Sequence, residues 1–208
     1  MPNAAKRPSS SPARRAQVHA LALEALESEL RGGTRFADVS VEAIATRAGI
    51  SRSTFYLYFR DKTELLVGAT EWLRDLVFEV RLDRGVDGSL GGLEGYVSSV
   101  ERVIARYREH SPLLDAVNHE AEFDDRVGAR WTAAQQRYVA WVADILREEQ
   151  ARGSTARSID PELAAGILVT GGERVIARHI AATQAGDDAR LARELGASQW
   201  FGFFRRPE

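Results

Sequence analysis

From Val127 to Ile145 the apolar side chains fall in alternating steps of four and three: Val127, Trp131, Ala134, Tyr138, Trp141 and Ile145. That spacing follows the pitch of an α-helix and puts all of them on one face, so the segment buries its apolar surface only by packing as a helix. The same periodicity recurs along the chain. Val18, Leu21, Ala22, Ala25, Leu26 and Leu30 trace a face that opens at Ser11-Pro12, an N-cap with proline at the first helical position, and closes at Gly32-Gly33. Short helices are predicted over 40–48 and 51–58. A longer one is opened by Asp61, with a capping box to Glu64, and is expected to reach about Leu82 before the breaker stretch Asp83–Gly92. Further helices are expected over about 93–110, just after Ser111-Pro112, through the aromatic segment up to Gly153, from Asp160-Pro161 to about Thr183, and from Asp187 to about Phe204. Asp124-Asp125 and Asp187-Asp188 read as helix starts, where carboxylates face the positive end of the dipole. No segment alternates with period two between hairpin turns, and no repeat is visible. The fold class is therefore all-α, with about nine helices.

Composition narrows the chemistry. With 208 residues, 44% of them hydrophobic, the chain can bury a core. It has no cysteine, which removes disulfides, thiol nucleophiles and thiolate metal sites. No uncharged run exceeds ten residues, short of the ~18 apolar residues that mark a spanning helix. PNAAKRPSSSPARR leads into no purely apolar run, so a soluble cytoplasmic protein is expected, with no membrane partner. His19, His110, His119 and His179 lack metal-ligand spacing and read as surface or satisfied residues. Glu173 beside Arg174 reads as a structural ion pair. Neither a Gly-x-Ser-x-Gly nor a phosphate loop nor a dinucleotide fingerprint is present, so the expectation is no enzyme, no cofactor and no metal. The net charge of −2 conceals a split: residues 1–62 carry ten Lys/Arg against six Asp/Glu, and the remainder carries 18 against 24. A basic head on an acidic body fits a polyanion-binding module joined to something else, although so small an imbalance is also ordinary.

The stretch VEAIATRAGISRSTFYLYFRDK, Val41–Lys62, carries the most information. Ala45 is small enough for two helices to cross closely, Gly49 tolerates the positive φ of a tight turn, and Phe55 locks the second helix onto the first. These three residues have helix-turn-helix spacing. Ser51 is a good N-cap for the second helix, and Arg52, Ser53, Thr54 and Tyr56 project from its first turns, where base edges and phosphates would be met. The spacing alone also fits an ordinary helical hairpin. The basic arm upstream and Tyr56, Tyr58 and Phe59 behind favour DNA.

SVEAIATRAGISRSTFYLYFRDKTELL resembles the signature of TetR-family transcriptional regulators over roughly residues 14–75. The resemblance implies a flexible basic arm over 1–13, a three-helix DNA-binding domain over 14–60, and a helical ligand-binding and dimerisation domain over 61–208. It implies operator contacts from Ser40, Ser51, Arg52, Ser53, Thr54, Tyr56, Tyr58 and Lys62, with Arg14 and Arg15 of the basic N-terminal stretch adding phosphate contacts. Ser53 departs from the Gly or Pro of many members. The implied function is a repressor that binds a palindromic double-stranded DNA operator as a homodimer, its recognition helices about 34–36 Å or a multiple apart, and leaves it when a small lipophilic effector binds. Other readings are a small-molecule binding protein with a vestigial head, or an activator or dual regulator.

The aromatic stripe of 127–145 fits a packed core as readily as a cavity wall. Two mid-helix glycines, Gly171 and Gly172, cost roughly 1 kcal/mol each against alanine, which points to a packing or cavity reason. The body further resembles the ethionamide-type repressors of that family. The resemblance implies an apolar tunnel lined by Tyr96, Val103, Tyr107, Asn118, Trp131, Gln135, Tyr138, Trp141, Val169, Gly172, Glu173 and Trp200. Gly172 stands where that subgroup has a ligand-bonding Asn, which leaves the polar anchor unassigned. The resemblance also implies a dimer face on the last two long helices.

Overall fold

The structure, a computed structural model, describes residues 11–78, 80, 82, 84 and 89–206. The basic residues Lys6 and Arg7, most of the arm expected over 1–13 and half of the breaker stretch lie outside the described residues. The chain divides after Ala69 into two compact units. Among the described residues the secondary structure is helical, with nine α-helices and, beyond them, only short turns and an isolated bridge between Arg84 and Leu90.

The first unit holds α1 (Pro12–Arg31), α2 (Val41–Arg47), α3 (Arg52–Tyr58) and the opening turns of α4 (Lys62–Phe78). Local chemistry sets each start. Ser11, Ser40 and Ser51 accept hydrogen bonds from the amides of Arg14, Ala43 and Thr54 at 3.2, 3.0 and 3.0 Å, satisfying donors that each first turn would otherwise leave open. Asp61 caps α4 through the Glu64 amide at 2.7 Å, but Glu64 reaches back to the amide of Arg60 at 2.6 Å instead of Asp61. The expected box is therefore shifted by one residue. Gly49 turns α2 into α3 at φ +67°, and Ile44, Ala45 and Phe55 close the small core between them. Phe55 is fully buried, with Phe59 4.9 Å away between ring centroids. Truncating such a side chain to alanine costs about 3–5 kcal/mol.

The second unit continues from Thr70 through α5 (Gly92–Glu109), α6 (Ser111–Glu120), α7 (Asp125–Ala151), α8 (Pro161–Ala182) and α9 (Asp188–Gln199). Packing is most extensive between α5 and α9 and between α7 and α8. The first pair approach closely because a β-carbon at Gly196 would lie 3.2 Å from Val97 Cα. Two expectations need correction. Helix α4 ends at Phe78, not near Leu82. The last helix is not continuous: a 3-10 turn at Ala185–Asp187 precedes α9, and a wide π turn, Trp200–Phe204, follows it. That wider turn brings both Trp200 and Phe204 into the core. Asp188 opens α9, yet its carboxylate serves Arg108 at 2.6 Å and His179 at 2.9 Å. The Arg108 hydrogen bonds hold it below its ordinary pKa.

In the first unit, His19 sits 5.5 Å from Phe59 and fills the space left by Gly68, where a β-carbon would overlap its Nε2. Burial lowers its pKa from 6.5, so the folded chain holds the ring neutral while the unfolded chain protonates first as pH falls. The stability this gives is complete above about pH 6.5 and is lost as pH drops toward the lowered folded value. The thermal unfolding midpoint should fall between pH 7 and 5, and His19→Gln should flatten that decline in a circular-dichroism melt.

Candidate DNA-reading helix and body cavity

The start of α3 is a cluster of hydroxyls. Ser51 Oγ shares hydrogen bonds of 2.8 Å with both Ser53 Oγ and Thr54 Oγ1 while capping the helix. Arg52 is exposed and stands 5.7 Å from the centroid of the Tyr56 ring, which is 47% exposed. A cation held against an aromatic face is pre-ordered for a phosphate or guanine edge. Arg15 lies 5.9 Å from the Tyr58 ring, and Arg14 bonds Gln17 at 3.0 Å. Ser40, Ser53, Arg14 and Arg15 are exposed, whereas Thr54 and Tyr58 are half-buried. Leu57, which no sequence motif singles out, is 58% exposed on the same helix. Its apolar tip suits a thymine methyl.

Lys62 requires a correction. Its ammonium donates to the carbonyls of Phe36, Ala37 and Val39 at 2.8, 2.7 and 2.9 Å and lies 4.9 Å from the Phe36 ring. All three N–H donors are engaged, so this lysine clasps the Phe36–Asp38 turn and is not held ready for a phosphate.

Two cavities lie in the second unit. The smaller, about 70 Å³, is walled by Tyr96, Val103, Tyr107, Tyr138, Trp141, Val169, Gly172 and Glu173 from the expected set, with Gln199 and Ser99 adding polar groups. The larger, about 760 Å³, is walled by Asn118, Trp131 and Gln135 and again by Tyr107 and Glu173. Trp200 faces neither. It is buried against Tyr96 and Phe204 with the Arg205 guanidinium 4.5 Å from its ring, so it is core. Gly172 has its reason: a β-carbon there would stand 3.1 Å from Gln199 Nε2. Nothing within 4 Å explains Gly171. Gln199 in turn accepts from the Tyr96 hydroxyl at 3.0 Å, and Trp131 donates to Asn118 at 3.0 Å.

Glu173 does not pair with its neighbour Arg174. Its Oε1 accepts from Arg74 at 2.9 Å and from the Tyr107 hydroxyl at 2.8 Å, and its Oε2 accepts from Gln135 at 2.9 Å. The Arg74 side chain has no solvent exposure and sits 5.0 and 5.1 Å from the rings of Trp131 and Tyr138. Burial opposes its charge, but Tyr107 and Glu173 outweigh that and hold its pKa above the ordinary value. Burial pushes the Tyr138 hydroxyl up to about 12 and also holds the Tyr107 hydroxyl well above its ordinary value, so both remain neutral donors. Arg74 was missed in the sequence, although steps of four from Leu66 through Thr70 place it on the buried face of α4.

The sequence comparisons agree with this division. Residues 36–69 match the description "Bacterial regulatory proteins, tetR family", and residues 96–195 match "Transcriptional regulator EthR, C-terminal domain". A helix-turn-helix unit followed by an all-helical unit is the arrangement of a DNA-binding transcriptional regulator. The chain thus carries a match to a TetR-type N-terminal domain and a match to an EthR-type C-terminal domain. The HTH-type transcriptional regulator EthR of Mycobacterium tuberculosis is 24% identical over 167 residues, covering 79% of this chain and 76% of that protein. That of Mycolicibacterium smegmatis is 28% identical over 154 residues, covering 70% and 65%. A putative TetR-family regulator from Mesorhizobium loti shares the fold at TM-score 0.69 and 20% identity, covering 92% of this chain and 98% of its own. Salmonella enterica GusR does so at 0.69 and 19%, covering 95% and 98%.

Removing one partner from a buried ion pair leaves the other charge stranded, which costs about 3–5 kcal/mol. Glu173→Gln should therefore destabilise the protein by about that much in urea unfolding. Arg74→Met/Glu173→Gln, which removes both charges, should lose clearly less than the two single losses combined.

Proposed function

We propose that the protein is a repressor that binds a near-palindromic operator as a homodimer and leaves it when a small lipophilic effector fills the body. The carrying observation is that an exposed Arg52–Tyr56 reading surface and a cavity walled by aromatics around Glu173 occur in one chain. Residues 14–60 would read DNA. Arg52, Ser53, Tyr56 and the hydroxyls of Ser40, Ser51 and Thr54 would meet base edges and phosphates, and Arg14 and Arg15 would supply backbone contacts. Each phosphate neutralised releases counterions, so affinity should fall steeply with salt. Residues 61–208 would bind effector and partner subunit. The wall of the smaller cavity carries Tyr, Trp, Val and Leu with Glu173 as its charged residue, which suits a lipophile. Helix α4 is the covalent path from one unit to the other, so an effector that favours one of two arrangements of α4 weakens DNA binding in proportion to that preference. Cytoplasmic residence follows from a DNA target and from the absence of any helix, among the described residues, long and apolar enough to cross a membrane.

The reading surface is tested by gel shift against fragments from upstream of the gene and its neighbours. Arg52→Ala with Tyr56→Ala should weaken any shift at least tenfold with the helical spectrum unchanged. An unaltered shift removes α3 as the reading helix.

Helix α8 leaves Leu163 and Ile167 67% and 64% exposed, and Val175 and Phe201 are also exposed. Isolated exposed apolars are ordinary, but Leu163 and Ile167 one turn apart on one helix, in a chain that matches this family, support the dimer face. Leu163→Glu with Ile167→Glu should convert the dimer to monomer in analytical ultracentrifugation. A dimer that persists places the interface elsewhere.

A further inference from the structure

An α-helix turns about 100° per residue, so the residues two before and two after the buried Phe55 of α3 stand opposite the core. Those are Ser53 and Leu57, a stacked pair on one crest. Burial follows the same arithmetic: Thr54 and Tyr58, flanking Phe55, are half-buried, whereas Arg52, Ser53, Tyr56 and Leu57 are exposed. Leu57 is an aliphatic tip at the crest, with the Arg52–Tyr56 pair along one side. An exposed leucine by itself is ordinary. This one stands on a helix otherwise furnished for a polyanion, since no acid occurs from Ala43 through Arg60. Phosphates reward cations and hydroxyls and gain nothing from an aliphatic group. Among the base edges of the major groove, the apolar feature is the C5-methyl of thymine. A leucine pressed onto the polar edge of another base would strip hydrogen-bonding groups of water and return none.

We propose that Leu57 determines base specificity: it packs on the C5-methyl of a thymine in the operator and holds that pair to T·A. This rests on the reading of α3 as the DNA-reading helix, and adds the class of base that it selects. The hydroxyls beside Leu57 carry little of that choice. Ser53 and Thr54 are both tied to Ser51 Oγ at 2.8 Å, and a hydroxyl, which donates and accepts alike, suits either kind of base edge. Leu57 discriminates where they do not. Cytosine lacks the methyl and presents an amino group in place of the thymine carbonyl, so it offers the leucine only a polar edge.

The test uses the full-length protein and a duplex that it enriches from a random pool, with Kd read by fluorescence anisotropy. Each thymine is replaced in turn by deoxyuridine, which lacks only the C5-methyl. Removing one methyl from an apolar contact corresponds to about a threefold to tenfold loss of affinity. That loss is expected at a thymine of the enriched sequence. In Leu57→Ala the thymine and uridine duplexes should bind alike at that position, with the salt dependence of binding unchanged because no phosphate contact is lost. At the same position 5-methylcytosine should bind more tightly than cytosine by the same factor, since it restores the methyl on another pyrimidine. If every uridine duplex binds like its thymine parent, or the enriched sequence has no thymine, Leu57 reads no methyl and the proposal is overturned while α3 remains the reading helix. That comparison needs no variant to fold. A uridine loss that survives in Leu57→Ala assigns the methyl to another side chain and overturns Leu57. Equal binding of cytosine and 5-methylcytosine overturns the methyl as the feature read. If no sequence is enriched, the DNA-reading assignment fails and Leu57 with it.

Discussion

One charge pair organises the second unit. The Arg74 guanidinium is wholly out of water, and Glu173 offsets its charge: one carboxylate oxygen accepts from the guanidinium and Tyr107, the other from Gln135, with the Trp131 and Tyr138 rings 5.0 and 5.1 Å from the guanidinium. The pair and its hydrogen-bond partners bring together α4, α5, α7 and α8. Glu173 and Tyr107 face both cavities. A hydrophobic pair of equal volume could pack more stably.

The first unit depends on a different principle. Its helices are short, and α2 and α3 of seven residues each would not persist alone. They are held by side chains that satisfy backbone ends: Ser40, Ser51 and Asp61 at helix starts, and Lys62 on three carbonyls of the preceding turn. With the backbone so fixed, Phe55 points inward and Arg52 and Tyr56 point outward. The surface that would meet DNA is thus a consequence of capping and of one buried ring. That also explains why Lys62, conspicuous as one of only two lysines in the chain, is occupied within the fold.

What the sequence revealed and what it hid follow from range. Helix starts were legible because a cap acts over three residues, as at Ser11, Ser40, Ser51 and Asp160. The turn at Gly49 was legible for the same reason. Partners 99 residues apart were not: nothing local to Glu173 points to Arg74, and adjacency suggested Arg174 instead. Trp200 was assigned to the tunnel by resemblance to the ethionamide-type repressors. The π turn it opens sends the ring into the core, and no simple residue count foretells a π turn. The cavity walls were largely legible because an aromatic stripe and a mid-helix glycine both leave a trace in sequence. The polar interior between them left none.

The account stands on coupling between the body cavity and DNA binding. The most direct measurement takes a DNA duplex selected from a random pool by the protein itself, and methyl undecyl ketone as the lipophile. It records the Kd of each with the other absent and with the other saturating. Coupling through one equilibrium requires the two Kd values to rise by the same factor. Equal and opposing shifts of tenfold or more are the predicted result. Two ligands that bind with affinities indifferent to each other would contradict the account, whatever each contacts.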